Sequence, residues 1–173
     1  PYYPLAGLEK IIVPDTEVSI LDKEEQKLLL KTAFDYVNNM TNPDHRRLIL
    51  IYILLNTGMR YGELCGLQWK NVKLNDKQPH IWVFQQCIFA DGNSKPKLSN
   101  LKTKTSKRKI YLAKQDIQII KRYRSWIYKT KFCETSYLLK EEPFIEHNMG
   151  GFLHKDFGRS TMRTILRLAE LPH

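Results

Sequence analysis

Residues 56 to 72 read NTGMRYGELCGLQWKNV. Thr57 and Gly58 close an apolar run, Leu48 to Leu55, that suits a largely buried helix, since glycine ends a helix in the left-handed conformation at little steric cost. Arg60 to Leu67 suits a short helix, and Trp69 and Val72 beyond it are expected packing anchors. Arg60 therefore falls just after a chain break, where a guanidinium can be held firmly and still face a cleft. Glu63, three residues later, shares its side of a helix and can orient Arg60 or bond nearby backbone. Two readings stand side by side: an anion-binding arrangement, or a surface pair worth about 0.2–1 kcal/mol.

On the N-terminal side, Asp22 and Glu25 have capping-box spacing, and Leu29, Ala33, Val37 and Met40 return at helical intervals, so a first helix is expected near 23–39. Asn42 and Pro43 restart the chain, with Pro43 able to occupy the first turn of the second helix. Residues 1–20 carry Pro1, Pro4, Gly7 and Pro14 without sustained period and read as a linker or arm ahead of a domain over 21–173.

On the C-terminal side the pattern changes after Pro79. His80 to Phe89 mixes aromatic and β-branched residues and predicts a strand, Asp91 to Ser94 a turn, and Lys107 to Leu112 a second strand. Lys95 to Thr105 between them is expected to form a loop or irregular strand. Residues 114–130 predict a helix with a broad apolar arc, Phe144 and Ile145 a brief extended piece before a Gly150–Gly151 turn. A last helix near 155–170 should turn Phe157, Thr161, Ile165, Leu168 and Ala169 toward the core. The fold class is α+β, a mainly helical domain interrupted by a small antiparallel sheet, without the strand–crossover alternation of a doubly wound fold.

The 173 residues are 42% hydrophobic and 27% charged, enough for one compact domain and against disorder. Their 28 Lys and Arg against 18 Asp and Glu leave a formal charge of +10. Residues 95–124 supply all of the excess, so the charge is regional and suits a nucleic-acid contact. Within that region LKTKTSKRKIYL, residues 101–112, places polar Lys102, Lys104 and Thr105 ahead of apolar Ile110 and Leu112. Such an arm can bury one face and offer ammonium groups to phosphates, giving affinity that falls with salt and carries little base information. The alternative is an edge strand guarded by lysines against aggregation.

Other chemistries find little support. Walker, dinucleotide and HExxH motifs are missing. Cys65, Cys87 and Cys133 are too few and scattered for a disulfide framework or zinc run, which points to a reduced, intracellular setting. His80, His147, His154 and His173 are too dispersed for a zinc site, and Cys65 suits packing better than thiol catalysis. No apolar stretch approaches the roughly 18 residues of a membrane span, and PYYPLAGLEK lacks the regions of a secretory signal. No membrane partner is expected.

NTGMRYGELCGLQWKNV closely resembles the first catalytic-arginine region of tyrosine recombinases, especially phage and conjugative-transposon integrases, with the family's roles falling on Thr57, Gly58, Arg60, Gly62, Glu63, Leu64, Leu67 and Trp69. LKTKTSKRKIYL resembles their β-hairpin lysine segment, where a Lys–Thr pair precedes Ser, Arg and an apolar strand. ILDKEEQKLLL resembles the family's opening helix, with Asp22 in place of the usual Thr, and PFIEHNMGGFLHKDFGRSTMRTIL, residues 143–166, resembles the strand, glycine turn and DNA-approaching helix. The similarity runs from about residue 20 to 171.

The resemblance implies a tyrosine-recombinase catalytic domain that is C-terminally incomplete, the second arginine and nucleophilic tyrosine being expected beyond His173. Tyr128 and Tyr137 stand in the wrong order and context for the nucleophile, which is left unassigned. Arg60 is the implied phosphate clamp and Lys102 the implied acid, with Lys104 as an alternative register and Glu63 in support. Lys95, Lys97, Lys104, Lys107, Arg108, His154, Arg159 and Arg163 are the implied DNA contacts. The implied chemistry requires no cofactor or metal. The implied partners are duplex DNA at recombination sites, a homotetramer in the synaptic complex with a monomer in isolation, accessory DNA-bending proteins, and an arm- or core-binding domain before Pro1. The expected location is the cytoplasm, in a bacterial, phage or mobile-element setting. A DNA-binding module that keeps the scaffold without catalysis is the alternative.

Overall fold

The computed structural model describes residues 20–39, 44–89, 96–131, 142–146 and 151–172. The expected arm over 1–19, the turn at 91–94, Met40, Pro43, Lys95, Cys133, Tyr137, His147, Gly150 and His173 lie outside them. The first helix, α1, runs Lys23–Asn38. Asp22 accepts the Glu24 and Glu25 amides while Glu25 accepts the Asp22 amide, so the capping box forms as its spacing predicts. Leu29, Ala33 and Val37 point inward from it.

The second helix, α2, spans His45–Thr57 and is buried at every position from Leu48 to Ile53. Asp44 is its N-cap, accepting the Arg46 amide at 3.2 Å. The carboxylate satisfies one of the free amides at the helix start. Each fully buried Leu or Ile along this helix contributes about 1.5–3 kcal/mol of transfer free energy. Helix α1 packs on one side of α2, and α4 (Lys114–Lys131) and α5 (Lys155–Leu168) also pack on it. On α4 the core face is Ile120, Tyr123 and Ile127, with Arg124 exposed over the Trp69 and Tyr128 rings.

After α2 comes α3, Tyr61–Cys65, then a 3-10 turn Trp69–Asn71. Trp69 and Val72 are buried as anticipated, with Trp69 packed on Tyr123 and Phe144. The strands are β1 (Val72–Lys73), β2 (His80–Val83), β3 (Gln85–Ile88), β4 (Lys97–Asn100) and β5 (Arg108–Tyr111). They form a three-stranded antiparallel sheet in the order β1–β2–β5 and a separate antiparallel β3–β4 pair. The expected single strand over 80–89 is thus two, divided at Phe84. The Phe84 carbonyl accepts the Leu101 amide at 2.9 Å, and Gln85 turns inward to bond the Gly66 carbonyl and the Gln68 side chain, which commits the chain to a new partner.

Helix α5 buries Gly158, Thr161 and Ile165, with Phe157 half-buried and Ala169 buried just past its end. Leu168 departs from expectation, being 48% exposed. The buried positions Thr161, Ile165 and Ala169 recur every four residues, which leaves Leu168 on the flank of that stripe. The whole is the α+β, mainly helical architecture with small antiparallel sheets that the sequence predicts. No helix among the described residues is long and apolar enough to cross a membrane.

Candidate functional site

The site begins where α2 stops. Thr57 turns its hydroxyl back to the Ile53 carbonyl and accepts the Met59 amide, and Gly58 adopts φ +61°, a conformation that strains any residue with a Cβ. Met59 then drops into the core, and Arg60 follows in extended backbone as the N-cap of α3. This local path leaves the Arg60 side chain 75% exposed while the Glu63 side chain is wholly buried.

Glu63 receives four hydrogen bonds. The Arg60 amide donates to Oε2 at 2.9 Å and Arg60 Nη1 to Oε1 at 3.3 Å. Arg108 adds a two-pronged pair, Nη1 to Oε1 at 3.1 Å and Nη2 to Oε2 at 2.9 Å. Strand alternation explains how Arg108 arrives there. In the β2–β5 register Val83 faces Arg108 and Ile81 faces Ile110, so Arg108 and Ile110 lie on the inner face. Lys109 and Tyr111 point outward, Lys109 over the ring of Trp82. Arg108 is accordingly the basic residue of the hairpin that turns inward, its side chain 33% exposed.

Burial by itself pushes the Glu63 carboxyl up, yet the Arg108 hydrogen bonds, the Arg60 amide and the charges of both arginines outweigh it and hold the group below the ordinary carboxylate value of 4.5. The Glu63 hydrogen bonds correspondingly push Arg108 up. A depressed folded value means stability that is present above the unfolded value and lost as pH falls through the folded one. Glu63→Gln should therefore flatten the acid side of the stability curve below about pH 4.5. Urea unfolding between pH 3 and 7 checks it, and an unchanged acid limb would contradict the pairing.

Arg60 and Arg108 line an open depression of about 380 Å³ with Gly58, Thr105 and Ser106. Its third wall is a hydroxyl turn: Thr103 Oγ1 lies 2.7 Å from Ser106 Oγ and 3.2 Å from Thr105 Oγ1, and accepts the Ser106 amide. Two guanidiniums against one carboxylate leave a net positive charge, which suits an oxyanion in the depression they line.

The predicted site residues distribute unevenly. Arg60 and Glu63 come together as their spacing suggests. Lys102 sits exposed in the bend before the Lys104–Ser106 turn and has no hydrogen bond or ion pair among the described residues; the depression is walled by the residues that follow it. Lys104 lies in that turn. Lys97 is exposed on β4, Lys107 just before β5, and Arg159 and Arg163 on the outer face of α5. His154 caps α5, accepting the Asp156 amide and lying 3.0 Å from its carboxylate, so its imidazole is engaged locally.

Sequence reasoning did not foresee the Arg108–Glu63 pair, the hydroxyls of Thr105 and Ser106, or the role of Tyr61. Tyr61 donates to the His154 carbonyl at 2.7 Å and accepts the Gly158 amide at 3.0 Å, fastening the start of α5 to α3. Only glycine fits at 158, because a Cβ would fall 2.3 Å from the Tyr61 ring. The one available signal was the alternation of Arg108 with Ile110, which places a cation on an apolar face. Cys65 and Cys87 are buried and free, and burial pushes both thiols up to about 12, as suits packing residues.

The chain belongs to the phage integrase family, whose model matches residues 20–170. Among solved structures, XerA recombinase is similar at 16% identity and a TM-score of 0.59, covering 91% of this chain and 46% of that one. The Tn1549 transposon integrase (residues 82–397) in complex with circular intermediate DNA is similar at 21% identity and a TM-score of 0.58, covering 91% and 57%. A variant of that integrase on another circular intermediate gives 20% identity and a TM-score of 0.63, covering 88% and 46%. At these identities the likeness is one of fold, and the chain spans about half the length of these structures. No curated protein matches the chain.

Proposed function

We propose that the protein to which this chain belongs is a site-specific DNA recombinase that cuts and rejoins duplex DNA through a 3′-phosphotyrosyl intermediate. The observation that carries the reading is Arg60, an exposed guanidinium anchored on a buried carboxylate at the edge of a cationic, hydroxyl-lined depression. Family membership supports it.

In the proposed reaction a tyrosine phenolate attacks the phosphorus, a 3′-phosphotyrosyl bond forms and the bond to the 5′ oxygen breaks. Arg60 stabilises charge developing on the nonbridging oxygens through fixed, charge-assisted hydrogen bonds. Lys102 gives its proton to the departing 5′ oxygen. A second 5′-hydroxyl reverses the step, the covalent link having conserved the phosphodiester energy. The attacking tyrosine is assigned to no residue of this chain. Glu63 has both oxygens occupied by arginine donors and serves as an orienter, not as a base. Lys97, Lys107, Arg159 and Arg163 hold the backbone, and assembly at two sites calls for several copies, with a bacterial cytoplasm as the setting.

The test is to incubate the full-length protein with duplex DNA from the ends of the genetic element that encodes it, then denature. A protein–DNA adduct on a 3′ phosphate, with a free 5′-hydroxyl, is expected. Salt-sensitive binding without any adduct would replace the enzyme reading with the noncatalytic DNA-binding module.

A further inference from the structure

We propose that Arg108 is a positioning residue, which clamps the Glu63 carboxylate and thereby holds Arg60 and the turn that follows Lys102 in a single frame. The inference rests on the recombinase reading above and assigns Arg108 a task different from a DNA-backbone contact. The two Glu63 oxygens offer about four acceptor positions, and Arg60 and Arg108 fill them with two donors each. Glu63 is left without rotational freedom or spare capacity. Arg60, by contrast, is a long and mostly exposed side chain whose direction depends on that carboxylate.

Arg108 also reaches the other half of the site. Its Nη1 donates to the Ser106 carbonyl at 3.3 Å, so the same guanidinium that holds α3 also holds the last residue of the hydroxyl turn. The turn is stiffened in its own right by Thr103, the residue directly after Lys102. Arg108 is in turn placed by its cross-strand pairing with Val83. Two segments 45 residues apart in sequence are thus brought into register through one buried carboxylate. A lysine in this position would keep the charge and lose the two-pronged fork that matches both oxygens.

The experiment compares wild-type full-length protein with Arg108→Lys, Arg108→Met and the neutral pair Arg108→Met with Glu63→Gln. Three quantities are read: thermal unfolding, strand cleavage at saturating DNA, and DNA affinity against salt. Misplacing Arg60 should slow cleavage by Arg108→Lys about 10- to 100-fold, with affinity and its salt slope preserved within about twofold. The neutral pair should regain the unfolding temperature that Arg108→Met loses, since it leaves no unpaired buried charge, and should remain slow in cleavage. Normal cleavage at saturating DNA by Arg108→Lys, together with a salt slope shallower by about one in Arg108→Met, would make Arg108 a phosphate contact and overturn the proposal. Full recovery of cleavage by the neutral pair would overturn it too, leaving only a structural role. If wild-type protein cuts no DNA, the recombinase reading fails by itself. The clamp is then read from the Arg60 Nε–H signal of this chain, which should lose order in Arg108→Lys; unchanged order would reject the clamp.

Discussion

Arg60→Ala is expected to abolish nearly all strand transfer while leaving the domain folded. The two effects separate because of where the atoms lie. The Arg60 side chain is 75% exposed and spends one guanidinium hydrogen bond on Glu63, whereas its backbone amide, which also bonds Glu63, survives the substitution. Losing an exposed pair of this kind costs about 1 kcal/mol or less. Losing a fixed donor to a developing oxyanion costs about 10²–10³ in rate, and an arginine on a transferring phosphoryl group about 10³–10⁵. A fall of at least about 10² in turnover with an unfolding temperature close to wild type is the expected pair of results. Arg60→Lys should recover only part, because an ammonium lacks the planar fork. Turnover unchanged by Arg60→Ala would reject Arg60 as the clamp.

Lys102→Ala should slow cleavage about 10²–10⁴-fold, the range of a positioned general acid. Its distinguishing property is that the defect depends on the leaving group. A 5′-bridging phosphorothiolate departs as a thiolate, whose conjugate acid ionises near pH 8.5, so it leaves without a donated proton and should bring the alanine variant near the wild-type rate. Folding should be unaffected, within about 0.5 kcal/mol, since Lys102 is exposed and unpaired among the described residues. If Lys102→Ala shows no such rescue and Lys104→Ala does, the acid sits two residues further along.

The parts of this fold that were legible in the sequence are those set by local chemistry. The Asp22–Glu25 capping box, the left-handed Gly58 stop and the buried stretch of α2 each follow from residues within one or two turns of one another. The split at Phe84 was not legible. HIWVFQQCIF mixes aromatic and β-branched residues with no turn signal at Phe84, and such composition records strand propensity without recording which strand is the partner. Leu168 failed because intervals of three and four residues both read as helical, whereas the buried stripe follows Thr161, Ile165 and Ala169 and leaves Leu168 beside it. At the site, Arg60 and Glu63 could be paired from their spacing. Arg108 could not be paired with Glu63, because that contact exists only once the β2–β5 register and the packing of the sheet beside α3 are fixed. A run of lysines and arginines reads as one basic surface until the strand divides it into inward Arg108 and outward Lys109.

The most direct measurement is a structure of the full-length protein bound to a DNA duplex with the scissile linkage intact. The guanidinium of Arg60 and the ammonium of Lys102 should both lie within about 2.7–3.2 Å of oxygens on the same phosphate, Arg60 on a nonbridging oxygen and Lys102 on the 5′ bridging one. A complex in which either group is turned away from that phosphate, with the loop after Lys102 ordered against the DNA, would contradict the account.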